Sequence, residues 1–145
     1  MYIPFSLSSL TLIVEREIEK LQIFLLHVPE DWQVISVGGE LSAYLVISSV
    51  IDQSRASRQW LEDELRKKTP GPVICQDIDL LFHPSLKLDP LILFRQISRY
   101  TKLIVLWPGS YKDGVLSYAV PEHKHYRFWK NLEGIDIMGV NDALQ

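Results

Sequence analysis

The run Val73-Ile74-Cys75-Gln76-Asp77-Ile78-Asp79 brings acidic residues to the tip of what reads as a buried strand. A carboxylate at such a tip can hold a Mg²⁺ ion beside a phosphorylated substrate, and a second acid can polarise an attacking water. The first of these positions is Gln76, whose amide brings no charge, so Asp77 and Asp79 would have to take up the metal in a shifted register. The plainer account is a pair of solvated turn carboxylates. Metal-assisted phosphate chemistry also needs a cradle, and the chain contains no G-x-x-x-x-G-K-[S/T]. The nearest substitute is Gly38-Gly39 ahead of Glu40-Leu41-Ser42, where a helix start could offer backbone N–H groups to an anion. No Lys follows and Glu40 repels phosphate, so an ordinary strand-to-helix turn is the simpler reading.

A second constellation, His123-Lys124-His125-Tyr126-Arg127-Phe128-Trp129-Lys130, interleaves cations with aromatic rings. Such a mixture can hold single-stranded nucleic acid by stacking and phosphate contacts. It also suits an amphipathic segment whose rings pack inward while its charges stay wet. His123 and His125 share a face if extended, yet two ligands with no third nearby make a poor metal site. Cys75 lies inside an apolar strand, where a thiol behaves as a small inert hydrophobe. Ser42, Ser110 and Ser117 have no G-x-S-x-G context, so no hydrolase triad is expected.

These residues need elements to position them. Over residues 6–21 the apolar positions Leu7, Leu10, Val14, Ile18 and Leu21 fall at three-to-four spacing, which predicts a helix over the first 20 residues. Residues 21–28 form a short apolar run that reads as a strand more readily than as a continued helix. Gln33-Val34-Ile35-Ser36-Val37 reads as another strand. With only Pro29 to Trp32 between them, the two would make an antiparallel hairpin, because a parallel crossover needs a dozen or more residues. A helix follows Gly39 with Leu41, Leu45 and Val46 on one face. A second, over 55–68, has Ala56, Trp60, Leu61 and Leu65 inside and Glu62/Arg66, Asp63/Lys67 and Glu64/Lys68 as acid-before-base pairs. Pro70-Gly71-Pro72 stops it. Then come the strand from Val73, a turn at His83-Pro84-Ser85, a helix over 89–99 and a strand over 103–107. Lys112-Asp113-Gly114 turns the chain into an edge hairpin over 115–120, and 131–145 is left as a tail. Helices alternating with buried strands predict one layered α/β domain over 1–145, its mainly parallel sheet flanked by helices, with an antiparallel hairpin at the edge.

Composition narrows the function classes. At 145 residues with 47% hydrophobic and 23% charged side chains, the chain can bury a core and is not intrinsically disordered. Its net charge of -3 gives no global pull towards polyanions. A single cysteine excludes an internal disulfide framework, which makes the cytoplasm the expected compartment. The uncharged stretches 1–14 and 41–51 lack a basic n-region or fall short of a membrane span, so no membrane contact is expected.

From about residue 33 to 129 the chain carries a series of short motifs in order. They are Ile78-Asp79-Leu80-Leu81-Phe82-His83-Pro84-Ser85-Leu86-Lys87-Leu88-Asp89-Pro90-Leu91, then Ser98-Arg99, Trp107-Pro108-Gly109, Leu116-Ser117-Tyr118-Ala119, and His123 with Tyr126. This series resembles the BrxF family, small P-loop proteins of type III bacteriophage exclusion (BREX) defence systems. Glu40-Leu41-Ser42 resembles that family's segment beyond its P-loop helix. The resemblance implies a P-loop NTPase-like fold, ATP and magnesium as cofactors, and work beside a large ATPase in restricting phage. The Walker A loop is degenerate or missing here: residues 21–28 run through Pro29-Glu30-Asp31 straight into Trp32-Gln33-Val34, with no room for a cradle and its helix. The Walker B position reads Gln76.

The expected function is therefore a non-catalytic, P-loop-derived module acting through protein contacts in a bacterial antiphage assembly. Its contact candidates are Trp107, Tyr111, Tyr118, His123, His125, Tyr126 and Trp129. One alternative is an ATP-binding protein or NTPase using Gly38 and Gly39 for phosphate and Asp77 or Asp79 for Mg²⁺, with an atypical or shared site. Another is a nucleic-acid-binding accessory protein using Lys124, Arg127 and Lys130.

Overall fold

The computed structural model describes residues 9–47, 52–119 and 124–144. The first strand, β1 (Leu10–Val14), lies where a helix was expected over the first 20 residues; residues 1–8 of that expectation are outside the described residues. Leu10 and Leu12 face one side of the sheet and Thr11 and Ile13 the other, all buried. A strand covered on both faces reads as an unbroken apolar run, and a three-to-four spacing falls across it by coincidence. Helix α1 (Ile18–Leu26) follows, so the expected strand over 21–28 and its hairpin do not form. The chain instead makes a parallel crossover from β1 through α1 to β2 (Gln33–Ser36). There is thus a strand-loop-helix unit ahead of β2 after all.

Helix α2 (Val37–Ile47) begins before Gly38-Gly39 rather than after it, and its Val46 faces solvent. Asp52 caps α3 (Gln53–Arg66) by accepting the Arg55 N–H at 3.0 Å. Of the three acid-before-base pairs, Glu62–Arg66 forms at 2.9 Å, but Lys67 turns to Glu64 at 2.9 Å, and Asp63 accepts from Gln59 instead. Then come β3 (Val73–Gln76), two 3₁₀ turns at Asp79–Phe82 and Pro84–Leu86, and α4 (Pro90–Ile97), capped by Asp89 with Pro90 in its first turn. After β4 (Leu103–Trp107) the chain forms β5 (Gly109–Lys112), β6 (Val115–Tyr118) and β7 (Arg127–Trp129). The turn at Lys112-Asp113-Gly114 joins β5 to β6 as expected, while Val120, the end of the expected run, is outside the described residues.

Residues 131–145 are not a tail. They provide β8 (Asp136–Gly139) and α5 (Val140–Leu144), and Arg95 of α4 fastens the segment between by donating to the carbonyls of Asn131 and Glu133 at 2.7 and 3.2 Å.

The protein is α/β. Five parallel strands run in the order β2-β3-β4-β1-β8, and β5-β6-β7 form a small antiparallel sheet. Alternation along β4 divides the core: Leu103, Val105 and Trp107 join the side of α2, α3 and α4, whereas Ile104 and Leu106 join the side of α1 and α5. Among the described residues, no helix is long and apolar enough to cross a membrane.

Candidate functional site

Neighbouring strands β1 and β4 send the chain to opposite faces of the sheet: β1 leads into α1, and β4 leads into the antiparallel sheet packed over the α2–α4 side. In open α/β sheets such a switch point leaves a crevice beyond the C-terminal ends of the strands, which is the usual place for a ligand. A cavity of about 460 Å³ opens there. Its polar lining includes Arg16, Gln76, Asp77, Asp79 and Tyr118, and α1 supplies apolar wall through Ile18, Leu21 and Leu25.

The expected carboxylates do come together in this crevice. Asp77 adopts a left-handed backbone (φ 55), which Asp tolerates better than most residues. Its carbonyl accepts the Gly38 N–H at 2.7 Å, and its carboxylate accepts from the Ser36 hydroxyl at 3.2 Å. Gly38 is required here because a Cβ would stand 2.8 Å from that carbonyl oxygen. The glycine expected to face a phosphate thus serves a close approach between α2 and the β3 loop, and its N–H is engaged. Asp79 opens the following 3₁₀ turn and accepts the Tyr118 hydroxyl. Burial raises its pKa, the Tyr118 hydrogen bond opposes that, and Asp77 adds to the rise. Tyr118 is itself pushed up to about 12 by burial, then by the charge and hydrogen bond of Asp79.

A part of the lining absent from the sequence reading is Arg16, which belongs to the loop Glu15-Arg16-Glu17 between β1 and α1. Glu15 Oε2 accepts the backbone N–H groups of Arg16 and Glu17 at 3.0 and 3.3 Å. Arg16 reaches across to donate to the Ala119 carbonyl at 3.1 Å. Ala119 holds a left-handed backbone (φ 63), a strained state for a residue with a Cβ. Misreading β1 as a helix hid this loop.

A second cavity, about 450 Å³, lies between the 3₁₀ turns and the start of β7. It gathers His83, Lys87, Lys124, His125, Tyr126 and Arg127, and its acid is Asp89. The His83 and His125 rings meet edge to face at 5.4 Å. In sequence His83 was read as a turn residue and Lys87 was named only within the motif series.

The contact candidates separate by burial. Trp107 is 0% exposed and donates to the Ser117 carbonyl at 3.0 Å, so it belongs to the core and cannot meet a partner. Trp129 packs edge-on against Trp107 at 5.2 Å and donates to Asp89 at 3.1 Å. Tyr118 stacks on Phe82 at 3.9 Å with planes 4° apart. Tyr111 and Lys124 are exposed, His125 and Tyr126 half-buried, and His123 lies outside the described residues. Arg127 is turned inward to the Leu88 carbonyl at 2.6 Å. Burial pushes the Cys75 thiol up to about 12, as suits an inert core residue. Among the described residues, no group of three or more His, Cys, Asp or Glu side chains could hold a metal ion. No family model matches the chain, and neither the curated proteins nor the solved structures include a significant match to it.

Proposed function

We propose that this protein is a non-catalytic module, derived from a P-loop protein, that acts through protein contacts in a bacterial antiphage assembly of the BREX type. The observation that carries the reading is the bond pattern of Glu15. In a phosphate-binding loop, backbone N–H groups between a strand and a helix point at the ligand, and glycines let it approach. Here the strand-loop-helix unit has Glu15-Arg16-Glu17 in that place, and Glu15 takes two of the loop's N–H groups with its own carboxylate. Asp77 and Asp79 add negative charge across the crevice. A triphosphate would have to displace one carboxylate and face two more. The motif series described above supports the defence setting.

The surface offered to a partner is α1, where Ile18 and Leu26 are 71% and 83% exposed. Exposure of this kind on a nine-residue helix suits a partner helix or loop laid across it. Calorimetric titration with ATP and Mg²⁺ is expected to give no saturable heat with the protein alone. Gel filtration with the large ATPase of such a system is expected to show a complex that Ile18→Asp dissolves. Saturable ATP binding by the isolated chain would refute the loss of the phosphate site. Failure of the two proteins to co-elute would refute the assembly role.

A further inference from the structure

We propose that the outer face of β7, together with the basic pocket beside it, binds a single strand of nucleic acid, with bases stacking on Phe128 and Tyr126 and phosphates meeting Lys87, Lys124 and Lys130. Alternation along the strand separates two sets of side chains. Arg127 and Trp129 turn inward to Leu88 and Asp89. Tyr126, Phe128 and Lys130 share the other face. Phe128 is 54% exposed on a strand whose packing is supplied by Trp129, so the fold gains little from a phenyl group there. Its cross-strand neighbour is Ser117, too small to cover the ring. The Tyr126 and Phe128 rings lie 6.0 Å apart at 32°, and Lys130 Nζ sits 5.8 Å from the Phe128 centroid. Two adjacent rings with a cation beside them form the kind of platform on which unpaired bases stack.

The pocket supplies the charge. Its acid, Asp89, is already committed: it accepts the Ile92 N–H and the Trp129 indole N–H, both at 3.1 Å, and stands 3.9 Å from Arg127. Lys87 and Lys124 are exposed and form no ion pair among the described residues. Lys87 has a left-handed backbone (φ 50) and lines the pocket. His83 receives the Ser85 N–H at Nδ1, which leaves Nε2 to carry the proton and act as a donor. With a net charge of -3 on the whole chain, attraction of a polyanion must be local, as this pocket allows. Stacking reads neither sequence nor the sugar, so the expected ligand is any unpaired strand, and a duplex hides the faces that the rings need.

Fluorescence anisotropy with a labelled oligothymidylate tests this. Saturable binding is expected at low salt, falling with log salt at a slope of about -2 for three phosphate contacts. Phe128→Ala is expected to weaken binding about tenfold or more with the slope unchanged, and Phe128→Tyr to restore it. Lys124→Ala is expected to reduce the slope by about 0.7. A circular dichroism melt checks that each variant is folded. No binding at low salt, equal competition by duplex, or a folded Phe128→Ala protein that binds as well as the wild type would each overturn the proposal.

Discussion

The crevice at the strand ends and the pocket beside β7 are nearly equal in size, about 460 and 450 Å³, and stand back to back. Their chemistry is opposite. In the crevice, the backbone donors that a parallel sheet and helix naturally aim at an anion are quenched by Glu15, with Asp77 and Asp79 nearby. Beside β7, lysines, histidines and an arginine gather around a carboxylate already engaged by the fold. The place a fold offers for a ligand and the residues that would recognise one are separate properties, and here they have parted company.

Three substitutions would break or sharpen this contrast. The largest effect is expected from Phe82→Ala. Phe82 is 1% exposed and touches Trp107, Tyr118 and Trp129, so its loss should cost about 3–5 kcal/mol in urea unfolding and degrade both cavities together. A loss below ~1 kcal/mol would mean that the two regions do not share a core. Gly38→Ala should cost about 1–3 kcal/mol through the clash with the Asp77 carbonyl. That damage belongs to the crevice alone, so oligonucleotide binding beside β7 should persist; joint loss would argue against two independent sites.

The smallest effect is electrostatic. Burial raises the Asp79 pKa above its ordinary 3.8, so the folded protein holds a proton that the unfolded chain has released. The stability this contributes is full below 3.8 and is lost as pH rises through the folded value. For Tyr118 the contribution is full below 10.0 and lost as pH rises through about 12. Asp79→Asn should flatten the acid limb of a stability profile and let Tyr118 ionise earlier, read from phenolate absorbance. Burial should still hold it above 10.0. An unchanged phenolate curve would show that Asp79 does not act on Tyr118.

Elements whose signals are local were legible in sequence. Helix α3 announced itself through its apolar stripe and the Pro-rich stop, and the β5–β6 turn through Lys112-Asp113-Gly114. Elements defined by distant partners were not. Strand β1 is buried between β4 and β8, so it shows no alternation, and helix α1 keeps Ile18, Ile23 and Leu26 exposed, so its apolar run looks like a strand. Strand β8 pairs with β1 across more than 120 residues, and nothing near it in sequence marks that partner. The site followed the same division. Asp77 and Asp79 were readable at a strand tip, whereas Glu15 and Arg16 were concealed by the misread strand before them. Trp107 looked like a contact residue because aromatic type alone does not tell which face of a strand it occupies.

The stacked rings of Phe82 and Tyr118 have a thermodynamic corollary. Phe82 lines the basic pocket and Tyr118 the acidic crevice, with 3.9 Å between ring centres. A wall one ring thick on each side is a shared boundary, so an occupant that displaces Phe82 must also alter the free energy of whatever rests against Tyr118. By linkage any such change in affinity is the same in both directions, whereas a strand that stays on the outer face of β7 leaves the stack, and the crevice behind it, as they are.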